Sequence, residues 1–165
     1  MKYVDSVIVF DEIPDEITLA ISISGCTIRC KDCHSKYLWD DSGTELDSSA
    51  VDTMIKCNQG ISCICFMGGK FNDLKPMLKH IRNNCKLKIA WYSGESEFPL
   101  DYSFLELLDF IKIGPYISER GGLDNPKTNQ RMYSISEDNL GRRVCTDITY
   151  KFRKPNETEN ICKTV

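Results

Sequence analysis

The segment Gly25-Cys26-Thr27-Ile28-Arg29-Cys30-Lys31-Asp32-Cys33-His34 constrains this chain most. Its three cysteines are spaced C-x3-C-x2-C, directly after a run, residues 17–24, that reads as a buried strand. Any fold must therefore hold one tight loop of three thiols at the end of a core strand. Structural zinc is closed by four ligands, so three thiolates in one loop leave a position open unless a distant residue supplies the fourth. A [4Fe-4S] cluster prefers thiolates on its irons; three cysteines then hold three irons and leave one free for a non-protein ligand. The spacing fits a reactive cluster better than a scaffold.

The other cysteines agree with metal chemistry. Nine cysteines are an odd number that cannot pair completely within one chain, and the amino terminus lacks the charged, apolar and small-residue order of a signal peptide. Reduced thiols and a cytoplasmic location are expected. No apolar run approaches the roughly 18 residues of a membrane span. Asp and Glu number 24 against 21 Lys and Arg, a net charge of -3 that gives no electrostatic footprint for nucleic acid. Cys63 and Cys65, two apart in a presumed strand, are expected on opposite faces and are read as core packing; Cys57, Cys85, Cys145 and Cys162 have no spacing partner.

Strand and helix patterns alternate. Residues 4–10 form a short leading strand and residues 18–23 the first core strand. Asp47 or Ser48 caps a helix through Val51, Met54 and Ile55, and residues 61–67 are a short apolar strand that stops at Gly68-Gly69. Leu74, Met77, Leu78 and Ile81 fall at i, i+3, i+4 and i+7, which predicts an amphipathic helix over 72–84 with Pro76 confined to its first turn. Strand 87–92, a short helix over 102–108 and strand 110–113 follow, with closing strands at 131–135 and 146–152. Such alternation implies βαβ units and a parallel sheet. Residues 114–130, rich in Gly, Pro, Asn and charge, make a connection of a length that is usually functional.

The cysteine spacing resembles the radical S-adenosylmethionine (radical SAM) superfamily, and Phe66-Met67-Gly68-Gly69-Lys70 stands where that superfamily has a glycine-rich element at the end of the second core strand. Glycines let backbone approach a ligand closely, although a Gly-Gly pair is by itself an ordinary turn. The superfamily continues this motif with an acid where this chain has Lys70, leaving the contact to Asp73 or to the glycine carbonyls. It also has an aromatic where this chain has Asp32. Cys33-His34-Ser35-Lys36-Tyr37-Leu38-Trp39, Gly114-Pro115-Tyr116, Gly121-Gly122-Leu123-Asp124 and Thr128-Asn129-Gln130-Arg131 are similar to one subfamily, the activating proteins of anaerobic ribonucleoside-triphosphate reductase.

The resemblance implies the following. An open, partial α/β barrel of about four to six mostly parallel strands is expected, since 165 residues are short of the roughly 250 of a full barrel. Residues 1–152 would be one domain and 153–165 a flexible tail. Cys26, Cys30 and Cys33 would hold a [4Fe-4S] cluster; Asp32, His34, Gly68, Gly69 and Lys70 would line the S-adenosylmethionine site. The enzyme, an oxidoreductase, would generate a 5'-deoxyadenosyl radical and install a glycyl radical on the reductase catalytic subunit, docked by Asn129, Gln130 and Arg131 and supplied with electrons by a flavodoxin or ferredoxin. An activase of another glycyl-radical enzyme is the alternative. A non-enzymatic zinc or iron-sulfur module, closed by a distant ligand such as Cys57 or Cys63, is the reading from a different class.

Overall fold

A computed structural model describes residues 1–153. Its strands are β1 (Lys2–Val9), β2 (Thr18–Ile23), β3 (Thr44–Glu45), β4 (Cys63–Met67), β5 (Lys88–Tyr92), β6 (Phe110–Ile113), β7 (Arg131–Glu137) and β8 (Arg143–Asp147). Its helices are α1 (Ser48–Cys57), α2 (Phe71–Asn84) and the single turn α3 (Phe104–Leu107). All eight strands join one sheet in the order β3-β1-β2-β4-β5-β6-β7-β8. Of the tail expected at 153–165, residues 154–165, with Cys162, lie outside the described residues. No described helix is long and apolar enough to cross a membrane.

The expected barrel of four to six mostly parallel strands is overturned. The sheet is mixed, and four of its seven strand pairings are antiparallel against three parallel. Parallel neighbours need a crossover of a dozen or more residues, usually helical, whereas antiparallel ones are joined by short turns. Among the described residues such helical crossovers join β2 to β4 and β4 to β5. Helices α1 and α2 return the chain so that β2, β4 and β5 run parallel, and the α3 segment does so for β6. Outside that stretch β1 pairs back on β2, and β7 and β8 fold as antiparallel neighbours. The closing strand expected at 146–152 is β8 at 143–147, followed by a 3-10 turn over Thr149–Phe152.

Burial explains the layers. Every residue of β2 is buried, as a strand covered on both faces requires. Ile64, Phe66, Ile89, Trp91 and Ile111 face α2, which buries Phe71, Leu74, Met77, Leu78 and Ile81 against them. Pro76 sits in the second turn of α2, not the first, where its missing N–H leaves the Asn72 carbonyl without its helical partner. Asp47 caps α1, its Oδ1 accepting from the Ala50 N–H at 2.8 Å.

The opposite face of the sheet carries Cys63, Cys65, Ala90, Phe110 and Met132 under Ile13, Leu123 and Ile148. Cys63 and Cys65 are core residues, but they share this face and do not oppose one another, because side chains two apart in a strand point the same way. Segments 10–17 and 114–130 and the 3-10 turn after β8, not α-helices, cover this side.

Candidate metal centre

The three parallel pairings align the carboxyl ends of β2, β4, β5 and β6, and the next residues of each strand build the site. After β2 the chain turns at Gly25, whose φ of 75° suits a residue without Cβ. The Gly25 N–H donates to the Asp40 carbonyl at 3.1 Å and the Cys26 N–H to the Leu38 carbonyl at 2.9 Å, so both ends of the cysteine loop are tied together. Arg29, between the first two cysteines, takes the left-handed φ of 47°, a conformation non-glycine residues hold only where their surroundings impose it.

Cys26, Cys30 and Cys33 are free and half-buried. Two of the sulfurs accept backbone hydrogen bonds at 3.3 Å: Cys33 Sγ from the Ser35 N–H, and Cys30 Sγ from the Tyr116 N–H of the segment after β6. Among the described residues no group of three or more His, Cys, Asp or Glu side chains could hold a single metal ion. One zinc would need its ligands to converge on a point. A four-iron cluster places its thiolates on separate irons, so three thiols that do not converge on one point are compatible with it. The distant ligands considered for a zinc module fit no better: Cys57 is exposed at the end of α1, and Cys63 is in the core behind the sheet.

Beside Cys26 a cavity of about 190 Å³ is lined by Gly68, Gly69, Lys70, Asp73 and Glu95. It adjoins a groove of about 810 Å³ that shares Gly69, Lys70, Asp73 and Glu95 and continues over Trp91 and Phe98. Gly68 and Gly69 have φ of 95° and 77°, and a Cβ on Gly68 would stand 3.3 Å from the Ile23 carbonyl oxygen. Only glycine fits the turn without strain. Trp91 Nε1 donates to the Gly68 carbonyl at 2.8 Å, fixing the turn to β5. Lys70 occupies the N-cap of α2 without a side-chain capping bond.

The remaining predicted residues lie elsewhere. Asp32 accepts from Ser118 Oγ at 2.8 Å, and the His34 ring packs on Tyr116 at 4.9 Å between centroids, so both tie the cysteine loop to segment 114–130. His34 lines a second cavity, of about 490 Å³, with Cys33, Tyr92, Lys112 and Gln130. Asn129 Nδ2 donates to the Pro115 carbonyl, Gln130 Nε2 to the Gly114 carbonyl, and Arg131 to the carbonyls of Thr128 and Gln130. Gln130 is 5% exposed, and these contacts brace the segment from within.

Sequence reasoning missed Gly94, Glu95, Trp91 and Lys112 as site residues. A Cβ on Gly94 would meet Ile28 Cγ1 at 2.8 Å, so the cysteine loop rests on this glycine. Their one available signal was position, just before or after the carboxyl end of a core strand. Burial pushes the Lys112 ammonium down to about 8, while the charges of Cys30, Glu12, Cys65 and Cys33 act against that shift.

A sequence model of the 4Fe-4S single cluster domain matches residues 17–134. No curated protein and no solved structure matches the chain. The match runs from the strand before the cysteine loop into β7 and takes in most of the described fold, so this iron-sulfur protein belongs to the 4Fe-4S single cluster domain family.

Proposed function

We propose that the chain is a radical SAM activating enzyme for the catalytic subunit of anaerobic ribonucleoside-triphosphate reductase. One observation carries the reading: the start of the three-thiol loop, Gly25 to Ile28 with Cys26, and the Gly68-Gly69 turn, 42 residues apart from Cys26 to Gly68, line a single cavity at the carboxyl ends of adjacent parallel strands. Cys26, Cys30 and Cys33 would hold the cluster. When bound, the cluster and S-adenosylmethionine would supply one-electron radical chemistry directed at a glycine of the partner.

The chain's own residues bind, orient and exclude water. The Gly68-Gly69 backbone would hold the methionyl part of the cofactor, with Asp73 and Glu95 as the carboxylates and Lys70 as the ammonium lining the same cavity. The adjoining groove lodges the remainder. Tyr116 and Ser35 orient two cluster thiolates through their N–H groups. Holding cofactor and target in register is worth up to roughly 7–11 kcal/mol of a barrier, which lets a small protein act as a specific activator. The partner docks over segment 114–130, with a flavodoxin or ferredoxin as donor.

The test is anaerobic reconstitution followed by reduction with S-adenosylmethionine, with and without the reductase catalytic subunit. A glycyl radical in the electron paramagnetic resonance spectrum, dependent on the subunit and lost in Cys26→Ala, is the expected result. Cofactor cleavage without that radical would reassign the chain to another glycyl-radical enzyme; an intact cluster without cleavage would end the radical SAM reading.

A further inference from the structure

We propose that the Lys112 ammonium is the counter-charge of the cluster and holds up its reduction potential, an inference that rests on placing the cluster at Cys26, Cys30 and Cys33. Lys112 is the charged residue of Phe110-Ile111-Lys112-Ile113, and its side chain points to the same face of the sheet as Phe110 and Tyr92. It lines the cavity that contains Cys33 and His34. Its Nζ stands 5.4 Å from the centre of the Tyr92 ring, and among the described residues its side chain makes no ion pair and no hydrogen bond.

The half-buried side chain lines the cavity with no ion-pair partner, so its charge is free to face an anion held there. Cys30, Cys33, Cys65 and Glu12 are the ionisable groups that act on it. Cys65 is buried and kept protonated, its thiol pushed well up by burial. Glu12 comes within no ion-pair distance of Lys112. Asp11, Glu12 and Asp124 also line the cavity but none is paired with Lys112 among the described residues, and Cys30 and Cys33 lie on the loop that the chain reaches four residues beyond Lys112, where the Tyr116 N–H meets Cys30 Sγ. Three thiolates on a four-iron cluster make an anion on that side, and each added electron makes it more negative.

The step is a single electron transfer. A low-potential donor of the flavodoxin or ferredoxin class loses one electron, the cluster gains it, and no bond forms or breaks. A fixed positive charge facing the cluster favours the product of that step over the reactant, because the product carries the larger negative charge. Tyr92 steadies the placement, since its hydroxyl donates to the Glu12 carbonyl and its ring face lies beside the ammonium.

The experiment is an anaerobic potentiometric titration of the reconstituted protein, without S-adenosylmethionine, read by electron paramagnetic resonance of the reduced cluster in wild type, Lys112→Met and Lys112→Arg. Circular dichroism of each apo protein and iron content check fold and loading; removing an unpaired charge from a half-buried strand position leaves the fold intact. Lys112→Met is expected to lower the reduced-to-oxidised ratio at a given potential about tenfold, a fall in midpoint of about 59 mV for one electron. Lys112→Arg should recover most of that loss. An unchanged midpoint in Lys112→Met with full iron content overturns the proposal, as does an unchanged midpoint with weakened S-adenosylmethionine binding, which would give the ammonium to the cofactor carboxylate. The ligand assignment fails separately: it falls if Cys26→Ala, Cys30→Ala and Cys33→Ala each keep the four-iron spectrum.

Discussion

Gly94 holds the cysteine loop by lacking a side chain. Its added Cβ would stand 2.8 Å from Ile28 Cγ1 and 3.2 Å from Ile28 Cβ, and a β-branched side chain held at its own Cβ has little room to rotate away. Gly94→Ala should therefore cost about 1–3 kcal/mol and reduce iron incorporation, because Ile28 lies between Cys26 and Cys30. Denaturant unfolding of Gly94→Ala, Ile28→Ala and the double variant measures this; a coupling energy near zero would show that the contact does not matter. Lys70 gives an opposite sign. It stands at the N-cap of α2, where a carboxylate would accept orphan N–H groups and meet the positive end of the helix. Lys70→Asp is expected to stabilise the apo protein by about 1 kcal/mol; if it also weakens S-adenosylmethionine binding tenfold or more, the lysine serves the ligand. The thiols and the Gly68-Gly69 turn were legible in the sequence because their signals are local spacings. Gly94 was not, since its reason is a contact with Ile28, sixty-six residues earlier in the chain.

At the scale of elements, the parts with a clean period were the legible ones. β2, β4, β5 and β6 announce themselves as short apolar runs, and α2 by its spacing of Leu74, Met77, Leu78 and Ile81. What the sequence conceals is pairing direction, which depends on how the connection closes and not on the strand's own residues. β3 is two residues long and has no period to read. Asp109 shows the same limit: its carboxylate accepts from Arg82 at 2.7 Å and from the Ile89 N–H at 2.8 Å, with Arg143 at 3.6 Å, and so binds α2, β5 and β8 to the start of β6. Nothing in the residues around it marks that role. Asp109→Ala should cost about 1–3 kcal/mol by leaving these donors unsatisfied, read as a lower denaturant midpoint at unchanged slope. Pro76→Ala tests the α2 interior. Restoring the bond to the Asn72 carbonyl gains up to roughly 3 kcal/mol, and the freer unfolded chain gives back about 1, so a net stabilisation of about 1–2 kcal/mol is expected.

For the whole molecule, the mixed sheet separates two tasks. The parallel centre brings four strand ends together, and the antiparallel flanks extend the sheet where no helices remain to make crossovers. The face away from the helices is consequently closed by loops over Cys63, Cys65 and Tyr92, and burial sets their ionisation. The Cys63 thiol is pushed up to about 12, and the Cys65 thiol and Tyr92 hydroxyl are also raised by burial. In the unfolded chain a cysteine ionises near its ordinary value, about 8.5. Between that value and about 12 the folded protein keeps a proton that the unfolded chain has lost, so the stability present below pH 8 declines steadily as pH rises. The apo protein should show a denaturant midpoint that falls between pH 8 and 10.5, and the Cys63→Ala, Cys65→Ala double variant should show a shallower fall over the same range, beneath a lower starting stability. An equal slope in both proteins would mean that the core thiols are already ionised or open to solvent. Alkylation at pH 8 gives the independent check: Cys57, exposed at the end of α1, should react in the native protein, while Cys63 and Cys65 react only after unfolding.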